Sequence, residues 1–207
     1  MEPYFTNSSN QNFTSSTPPP EQPIKKESFF GEIIKFTIIA LAIVLPIRLF
    51  IAQPFIVSGA SMDPTFATGE YLIVDQLSYH IGDPARGQVV IFKYPKDETK
   101  FFIKRVIGLP GETVIIDGTS VIIKNKANLD GFKLNEPYIS LNNEKEDSIT
   151  VTLKTGEYFV MGDNRKESFD SRAWGVLPRD LIIGTPFVRL FPANKINIFP
   201  GDYKEAK

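Results

Sequence analysis

The sequence predicts a mainly β protein: an antiparallel β-barrel or folded-sheet domain preceded by one N-terminal transmembrane helix. Residues 29–52 are apolar on every helical face. From Phe55 onward, short apolar runs are separated by Gly, Pro, Asp and Asn. No amphipathic stretch of helix length interrupts those runs. The predicted organisation is therefore a disordered arm at 1–28, a transmembrane helix at 29–52 and a β-rich domain at 53–207.

The arm at 1–28 is rich in Asn, Ser, Thr and Pro and has almost no periodic apolar pattern, which predicts disorder. In the helix at 29–52, Lys35 and Arg48 shorten the charge-free window to 12 residues. That is below the roughly 20 residues that cross the hydrocarbon core. Both charges lie near the ends, where long basic side chains can snorkel towards the headgroups. The segment is interpreted as a membrane span that Pro46 would kink.

The same segment has two alternative interpretations. A cleavable signal peptide is disfavoured because the apolar run starts late and no Ala-x-Ala-like site lies cleanly behind it. A buried core helix is the second alternative. Lys25, Lys26 and Lys35 lie on the N-terminal side. The positive-inside tendency therefore predicts a single-pass protein of the cytoplasmic membrane, with a cytoplasmic arm and everything after Gln53 extracytoplasmic.

Seven short runs make up the predicted β-rich domain. They favour strands, and their spacing is typical of an antiparallel barrel or folded sheet. Asp117-Gly118 and Asp130-Gly131 suit hairpin turns, and the polar stretch 142–147 is predicted to be an exposed loop. The runs are EYLIVDQL, GQVVIFKY, FFIKRVIG, ETVIIDG, SVIIKN, SITVTL and EYFVMGD.

Composition excludes several classes of function. The 207 residues carry a net charge of −1 with a pI near 5.9, so nucleic-acid binding is not predicted. Cysteine is absent, which excludes disulfides, a thiol nucleophile and thiolate metal sites. His80 is the single histidine, so a zinc site with two or three imidazoles cannot form. We therefore expect no metal and no cofactor.

The candidate nucleophile is Ser61, in the segment VSGASMDPT at 57–65, directly behind the helix. Its glycine and alanine let a substrate backbone approach closely, and Pro64 limits the freedom of the turn. Backbone N–H groups in such turns can face an oxyanion. Taken alone, the segment is also compatible with an ordinary Ser/Gly loop.

Two residues compete for the role of general base. His80 lies in a predicted turn between strands, where a histidine is more often solvated. Lys104 lies in FFIKRVIGLPG at 101–111, where alternation places Phe102, Lys104 and Val106 on one strand face. A lysine pKa of about 10.4 prevents base chemistry at neutral pH, but apolar burial can lower it to about 7 to 8. A Ser-Lys pair would then replace the histidine triad; a snorkelling edge-strand lysine is the alternative.

The third candidate segment, residues 161–175, is dense in turn formers, hydroxyls and charges. Loops of this composition either are solvated or organise a site. An ion pair between Asp170 and Arg172 would stiffen the loop and leave Ser168 free to accept a hydrogen bond from the lysine amine. A solvated surface loop is the alternative.

Together these segments resemble bacterial type I signal peptidases, the leader peptidases of serine peptidase family S26. The resemblance covers roughly Arg48 to Pro192 and rests on the order of the motifs, which is more specific than any one of them. After the apolar anchor come SMDPT at 61–65, KRVIG at 104–108, NEPY at 135–138, GDNR at 162–165 and SFDSR at 168–172.

The resemblance implies a membrane-bound serine endopeptidase that removes signal peptides from exported preproteins and cuts after small residues at Ala-x-Ala sites. Ser61 would attack the substrate carbonyl to form an acyl-enzyme. Lys104 would take the hydroxyl proton and later activate the deacylating water, while Ser168 would orient the amine. The implied supporting ion pairs are Asp163 with Arg105 and Asp170 with Arg172, and the implied pocket residues are Phe55, Val57, Phe66 and Ile103.

The chain departs from part of the family at the oxyanion hole. Some members have a hydroxyl two residues before the nucleophile, where this sequence has Gly59. The Ser61 backbone N–H is the first expected donor, and Ser58 is the candidate second donor. The implied partners are preproteins and the lipid bilayer.

Two rival functions remain at this point. A self-cleaving repressor also uses a Ser-Lys pair, but such proteins carry a DNA-binding helix-turn-helix where this chain has an apolar helix. A catalytically inactive, membrane-tethered β-domain that binds exported chains is the alternative from a different class. The intact pair of Ser61 and Lys104 argues against it.

Overall fold

The computed structural model describes residues 29–46 and 52–203. The predicted arm at 1–28 and the basic Arg48 lie outside the described residues. The chain divides into two compact units between Ala40 and Leu41.

The apolar segment forms one helix, α1, at Phe29–Pro46. All of its residues are exposed, which a core helix would not be. By length and composition it could cross a membrane. The predicted helix extended to residue 52, whereas the structure assigns Ala52 to the first strand, and residues 47–51 between them lie outside the described part. Spanning and orientation stay predictions.

The larger of two sheets has eight strands, all paired antiparallel, in the order β1-β2-β11-β3-β4-β9-β10 with β12 beside β11. The central β4 has 12 residues and pairs with β3 and β9. The strands are β1 (Ala52–Ile56), β2 (Tyr71–Asp75), β3 (Val89–Tyr94), β4 (Asp97–Gly108), β9 (Glu157–Met161), β10 (Leu177–Pro178), β11 (Ile182–Phe191) and β12 (Asn197–Ile198).

The second sheet has four antiparallel strands in the order β7-β6-β5-β8. They are β5 (Thr113–Gly118), β6 (Ser120–Asn125), β7 (Asn128–Lys133) and β8 (Asp147–Thr152). Two short helices complete the domain, α2 (Leu77–Ile81) and α3 (Ser171–Trp174), together with 3-10 turns at Leu141–Asn143, Arg179–Leu181 and Ala193–Lys195. The expectation of a mainly β, antiparallel folded-sheet domain is confirmed.

Three buried apolar clusters form the core of the β-domain. One lies under β3, β4 and β9, and a second lies between β4, β9 and the small sheet. The third lies beneath the loop between β1 and β2 and positions the candidate nucleophile. Its members are Val57, Met62, Phe66, Leu72 and Val89.

One of the two predicted hairpin turns is wrong. Asp117-Gly118 does turn β5 into β6, with Asp117 opposite Ser120. Asp130-Gly131 lies inside β7 instead. The β6–β7 turn comes earlier, because the Asn125 side chain accepts the backbone N–H groups of residues 127 and 128 and closes the chain there. Gly131 has φ of 87°, and a Cβ there would lie 2.9 Å from the Ile122 side chain, so its glycine serves close strand packing.

Each of the seven predicted runs overlaps a strand, but β1, β7, β10, β11 and β12 were not predicted. β11 is interrupted in sequence by Gly184 and Pro186, which read as breakers. A Cβ at position 184 would lie 2.1 Å from the Asp75 carbonyl oxygen, so this glycine permits the close approach of β2. His80 belongs to α2 rather than to a simple turn.

Candidate active site

Ser61 lies in a compact turn between β1 and β2. The Asp63 N–H donates to the Ala60 carbonyl at 3.1 Å, and the Phe66 N–H donates to the Met62 carbonyl at 2.9 Å. Met62 and Phe66 are 1% and 0% exposed and anchor the turn in the third apolar cluster. Ser61 itself stays partly exposed, so its hydroxyl can meet a substrate.

Lys104 lies in β4 opposite Val90, with its side chain 4% exposed. Its Nζ is 2.6 Å from Ser61 Oγ and also donates to the Ile103 carbonyl at 2.9 Å. The Phe102 ring centre is 5.6 Å from Nζ. Residues 43 positions apart in sequence thus form a hydrogen-bonded hydroxyl–amine pair.

The surroundings of Lys104 suit a base rather than a permanent cation. Burial lowers the pKa of the Lys104 amine from 10.5 to about 8, although the carboxylates of Asp170 and Asp163 oppose that shift. Near neutral pH a useful fraction of the amine is therefore unprotonated and can accept the Ser61 proton.

The ion pair of Arg105 and Asp163 is present and almost fully buried. Arg105 Nε and Nη2 reach the two carboxylate oxygens at 2.8 and 2.6 Å. Thr65 Oγ1 donates to the same carboxylate at 2.5 Å. Since Arg105 follows Lys104 on β4 and Thr65 lies in the Ser61 turn, this pair ties the two halves of the site together. A buried bidentate pair that satisfies further polar groups holds a defined geometry.

The ion pair of Asp170 and Arg172 is also present, at 2.8 Å. Arg172 Nη1 additionally contacts Asp147 at 2.7 Å, which joins the loop to β8. Burial raises the pKa of the Asp170 carboxyl, but hydrogen bonds and charge from Arg172, with help from Ser168 and Gly162, leave that pKa below its ordinary range. The segment at 161–175 is therefore an organised loop, not a solvated one.

Ser168 was expected to accept a hydrogen bond from the Lys104 amine, but it has a different partner. Its Oγ accepts the Gly162 N–H at 3.1 Å, while the described hydrogen bonds of Lys104 go to Ser61 and Ile103. A Cβ at position 162 would lie 2.3 Å from both Ser168 Oγ and the Ser61 carbonyl oxygen. Glycine at this position thus lets the loop approach the nucleophile. The orienting role of Ser168 stays a prediction.

A cavity of about 280 Å³ opens beside the Ser-Lys pair. Three of the four residues predicted for substrate pockets line it: Phe55, Val57 and Ile103. Phe66 does not. The turn directs its ring into the apolar cluster beneath the loop, where Phe66 is 0% exposed, so the prediction for Phe66 is corrected. The sequence reasoning missed further lining residues, namely Ile56, Leu72, Ile91, Phe101, Phe102, Glu167 and Phe169.

Of these residues, Phe101 precedes the KRVIG motif and Phe169 lies inside SFDSR, yet neither was predicted to line a pocket. Their exposure, 46% and 54%, is visible only in the structure, so nothing in the sequence singled them out. Phe101 packs edge-on against Phe55, with ring centres 5.4 Å apart. Together they give one side of the cavity an aromatic wall.

Ser58 and the residues up to Ser61 line the same cavity. Within the described chain, the Ser61 N–H has no protein acceptor. The group is therefore free to receive a ligand oxygen. Ser58 is exposed, and its role as second donor stays a prediction. No group of three acidic or histidine side chains suited to a metal occurs among residues 29–46 and 52–203.

Known proteins resemble this chain over most of its length. Residues 30–191 match the family described as signal peptidase, peptidase S26. Signal peptidase I of Bacillus licheniformis is 38% identical over 182 residues, covering 83% of this chain and 94% of that protein. Signal peptidase I of Leptolyngbya laminosa is 36% identical over 196 residues, covering 88% and 93%.

A solved structure is also similar, the crystal structure of a signal peptidase I from Enterococcus faecalis V583. It is 31% identical and covers 51% of this chain and 97% of that one, with a TM-score of 0.43. Sequence similarity over most of the length, together with the matched family region, establishes the relationship. The chain belongs to the signal peptidase family, peptidase S26, and is a serine endopeptidase.

Proposed function

We propose that this protein removes N-terminal signal peptides from exported preproteins through an acyl-enzyme formed on Ser61, with Lys104 as the general base. The observation that carries the proposal is the 2.6 Å contact between Lys104 Nζ and Ser61 Oγ, in which the amine is almost fully buried. Family membership supports the substrate class, since the relatives are named signal peptidases.

In the first half of the reaction, the unprotonated Lys104 amine takes the Ser61 hydroxyl proton as Oγ attacks the scissile carbonyl carbon. The carbonyl oxygen becomes an oxyanion, which the Ser61 N–H and the Ser58 hydroxyl would stabilise. The ammonium then protonates the leaving amine, and the C–N bond breaks. Water activated by the same amine hydrolyses the ester in the second half and restores the hydroxyl.

The shape of the cavity supports cleavage after small residues, as at Ala-x-Ala sites. Phe55, Val57 and Ile103 would line shallow pockets for the first and third residues before the cut. Bulky side chains that form a pocket wall leave little depth for the substrate side chain. A large residue at either position would therefore meet these walls.

Ser168 would orient the amine indirectly. It holds the Gly162 N–H, and Gly162 lies against both Ser168 and the Ser61 backbone. The ion pairs of Arg105 with Asp163 and of Arg172 with Asp170 would hold the two segments that flank the base. In the membrane, α1 would anchor the chain with its arm in the cytoplasm and the β-domain on the extracytoplasmic side.

The test is cleavage of a preprotein whose signal ends in Ala-x-Ala by the full-length, detergent-solubilised protein. Mass spectrometry of the products identifies the cut. Wild type should cut after the second alanine, and Ser61→Ala should not cut, although it should melt like wild type. Ser148→Ala, which changes an exposed serine of β8, is the matched control and should cleave normally. If folded wild type cuts nothing, a tethered β-domain that binds exported chains becomes the better hypothesis.

A further inference from the structure

Asn164 uses its whole side-chain amide to connect two segments of the site. It is buried, at 7% exposure. Its Nδ2 donates to the Ala60 carbonyl at 3.2 Å, and its Oδ1 accepts the Glu167 N–H at 3.3 Å. A carbonyl needs a donor and an N–H needs an acceptor, so these partners fix which way the amide points. The backbone N–H of Asn164 also donates to the Ser61 carbonyl at 3.1 Å.

These contacts control the peptide group that carries the Ser61 N–H. The bond between Ala60 and Ser61 is trans. In a trans peptide, the carbonyl and the N–H lie in one plane and point in opposite directions. The Asp63 N–H also donates to the Ala60 carbonyl, at 3.1 Å, so Asn164 holds this carbonyl together with the turn itself. With the carbonyl held there, the Ser61 N–H points to the other side. The backbone N–H of Asn164 fixes the Ser61 carbonyl, so Asn164 contacts the peptide groups on both sides of Ser61.

The Ser61 N–H has no acceptor within the described chain, and residues 58–61 line the cavity. We propose that Asn164 is a positioning residue for the oxyanion, a proposal that rests on the proposed function. Its side-chain amide orients the Ser61 N–H towards the carbonyl oxygen of the substrate. Asn164 does not itself touch the reacting atoms. Its effect passes through one peptide plane, and it is separate from the proton transfer to Lys104.

The chain contains a matched control in Asn143. Its Nδ2 also donates to a backbone carbonyl of the same turn, that of Asp63, at 3.1 Å. That carbonyl belongs to the peptide between Asp63 and Pro64, which carries no N–H and lies two residues beyond the nucleophile. Asn143→Ala thus removes a similar hydrogen bond without releasing the Ser61 peptide plane.

The magnitude follows from the value of an oxyanion donor. Removing one donor slows an acyl-transfer enzyme by about 10²- to 10³-fold. Misaiming a donor that remains present should cost less, and the Asp63 N–H still holds the Ala60 carbonyl in the variant. Asn164→Ala is therefore expected to lower kcat by about 10-fold. KM should stay within about threefold, because the ground-state carbonyl depends less on this donor than the oxyanion does. The pH at which the rate is half-maximal should not move, because the environment of Lys104 is unchanged.

The decisive measurement compares two ligands on the full-length proteins. A peptide aldehyde ending in Ala-x-Ala forms a tetrahedral adduct: Ser61 Oγ bonds to the aldehyde carbon, the C=O electron pair moves to oxygen, and the hydroxyl proton passes to Lys104. The corresponding peptide alcohol occupies the cavity but cannot form the adduct. Asn164→Ala should weaken aldehyde binding by the same factor as kcat and leave alcohol binding within about threefold.

Asn164→Asp provides a second variant of nearly the same shape. It keeps an acceptor for the Glu167 N–H but places a carboxylate oxygen against the Ala60 carbonyl, and its defect should equal or exceed that of Asn164→Ala when each is measured at its own plateau pH. Equal losses for aldehyde and alcohol, an equal defect in Asn143→Ala, or loss of folded protein in both Asn164 variants would overturn the proposal. Wild type that neither cuts the preprotein nor binds the aldehyde would instead refute the proposed function.

Discussion

Replacing Lys104 with methionine removes the proposed base while keeping a side chain of similar length. With a pKa of about 8 for the wild-type amine, about one tenth of it is unprotonated at pH 7 and about nine tenths at pH 9. If the neutral amine is the base, the wild-type kcat should rise by about tenfold over this interval and then level off. The methionine variant should show no cleavage above background at any pH.

The same substitution should stabilise the fold, because burying a charged amine is unfavourable. The gap between 10.5 and about 8 corresponds to about 3 kcal/mol at 1.36 kcal/mol per pH unit. Between those two pH values the unfolded chain binds more protons than the folded one, so wild-type stability rises with pH there, and the full penalty applies below pH 8. After subtracting the lost hydrogen bonds, Lys104→Met should gain about 1 to 3 kcal/mol at pH 6.

Two assays test these expectations on the full-length protein in detergent. Initial rates of cleavage of an Ala-x-Ala substrate, measured from pH 6 to pH 10, give the kcat profile. Denaturant unfolding at pH 6 and pH 10 gives the free energy of unfolding, and the advantage of the methionine variant should shrink at the higher pH. Lys100→Met is the matched control, since Lys100 lies on the same strand with its side chain 64% exposed; it should change neither measurement.

A wild-type rate that is flat from pH 6 to pH 10 would contradict a lysine base with a lowered pKa. So would near-normal activity in Lys104→Arg, because a guanidinium stays protonated throughout this range. Unchanged stability in Lys104→Met at pH 6, with activity lost, would show that the amine is not strained by burial and that its pKa is closer to that of a free lysine.

Three further predictions concern the loop at 161–175. Gly162→Ala should reduce kcat by 100-fold or more, because the added Cβ would lie 2.3 Å from the Ser61 carbonyl and Ser168 Oγ; normal activity would disprove that close approach. Ser168→Ala should lower kcat by about tenfold with little change in melting temperature, since the Gly162 N–H keeps Asp170 as an acceptor; kinetics and thermal melts decide this. Arg172→Lys should destabilise the fold by about 2 kcal/mol in denaturant titrations, because one ammonium cannot replace a guanidinium that binds both Asp170 and Asp147. Unchanged stability would show that the guanidinium fork is dispensable.

Much of the fold was readable from local patterns. The seven apolar runs each overlap a strand, because a run of β-branched and aromatic residues bounded by turn formers has few other stable conformations. Two of the missed strands, β7 and β11, contain a glycine that the packing of neighbouring strands requires. Gly184 in β11 reads as an interruption, yet the close approach of the Asp75 carbonyl requires it. Likewise, Asp130-Gly131 looks like a hairpin turn in the sequence, and only the packing against Ile122 shows why a glycine lies inside β7.

The sequence by itself determined the chemistry available to this protein. The absence of cysteine and the single histidine left few candidates for a nucleophile and a base, and the order of the short motifs indicated the family. These conclusions depend on which residues exist and how they are spaced along the chain.

Only the tertiary structure decided which groups meet. Lys104 contacts Ser61 although 43 positions separate them, and the Gly162 N–H donates to Ser168. Phe66 lies in the core rather than in the pocket wall. The side chain of Asn164 donates to the carbonyl of the peptide that precedes the nucleophile. Hydrogen bonds and burial depend on distances between segments far apart in sequence, and shifts of a few tenths of an ångström change them. Such distances are set by the packing of whole sheets, which no local pattern encodes.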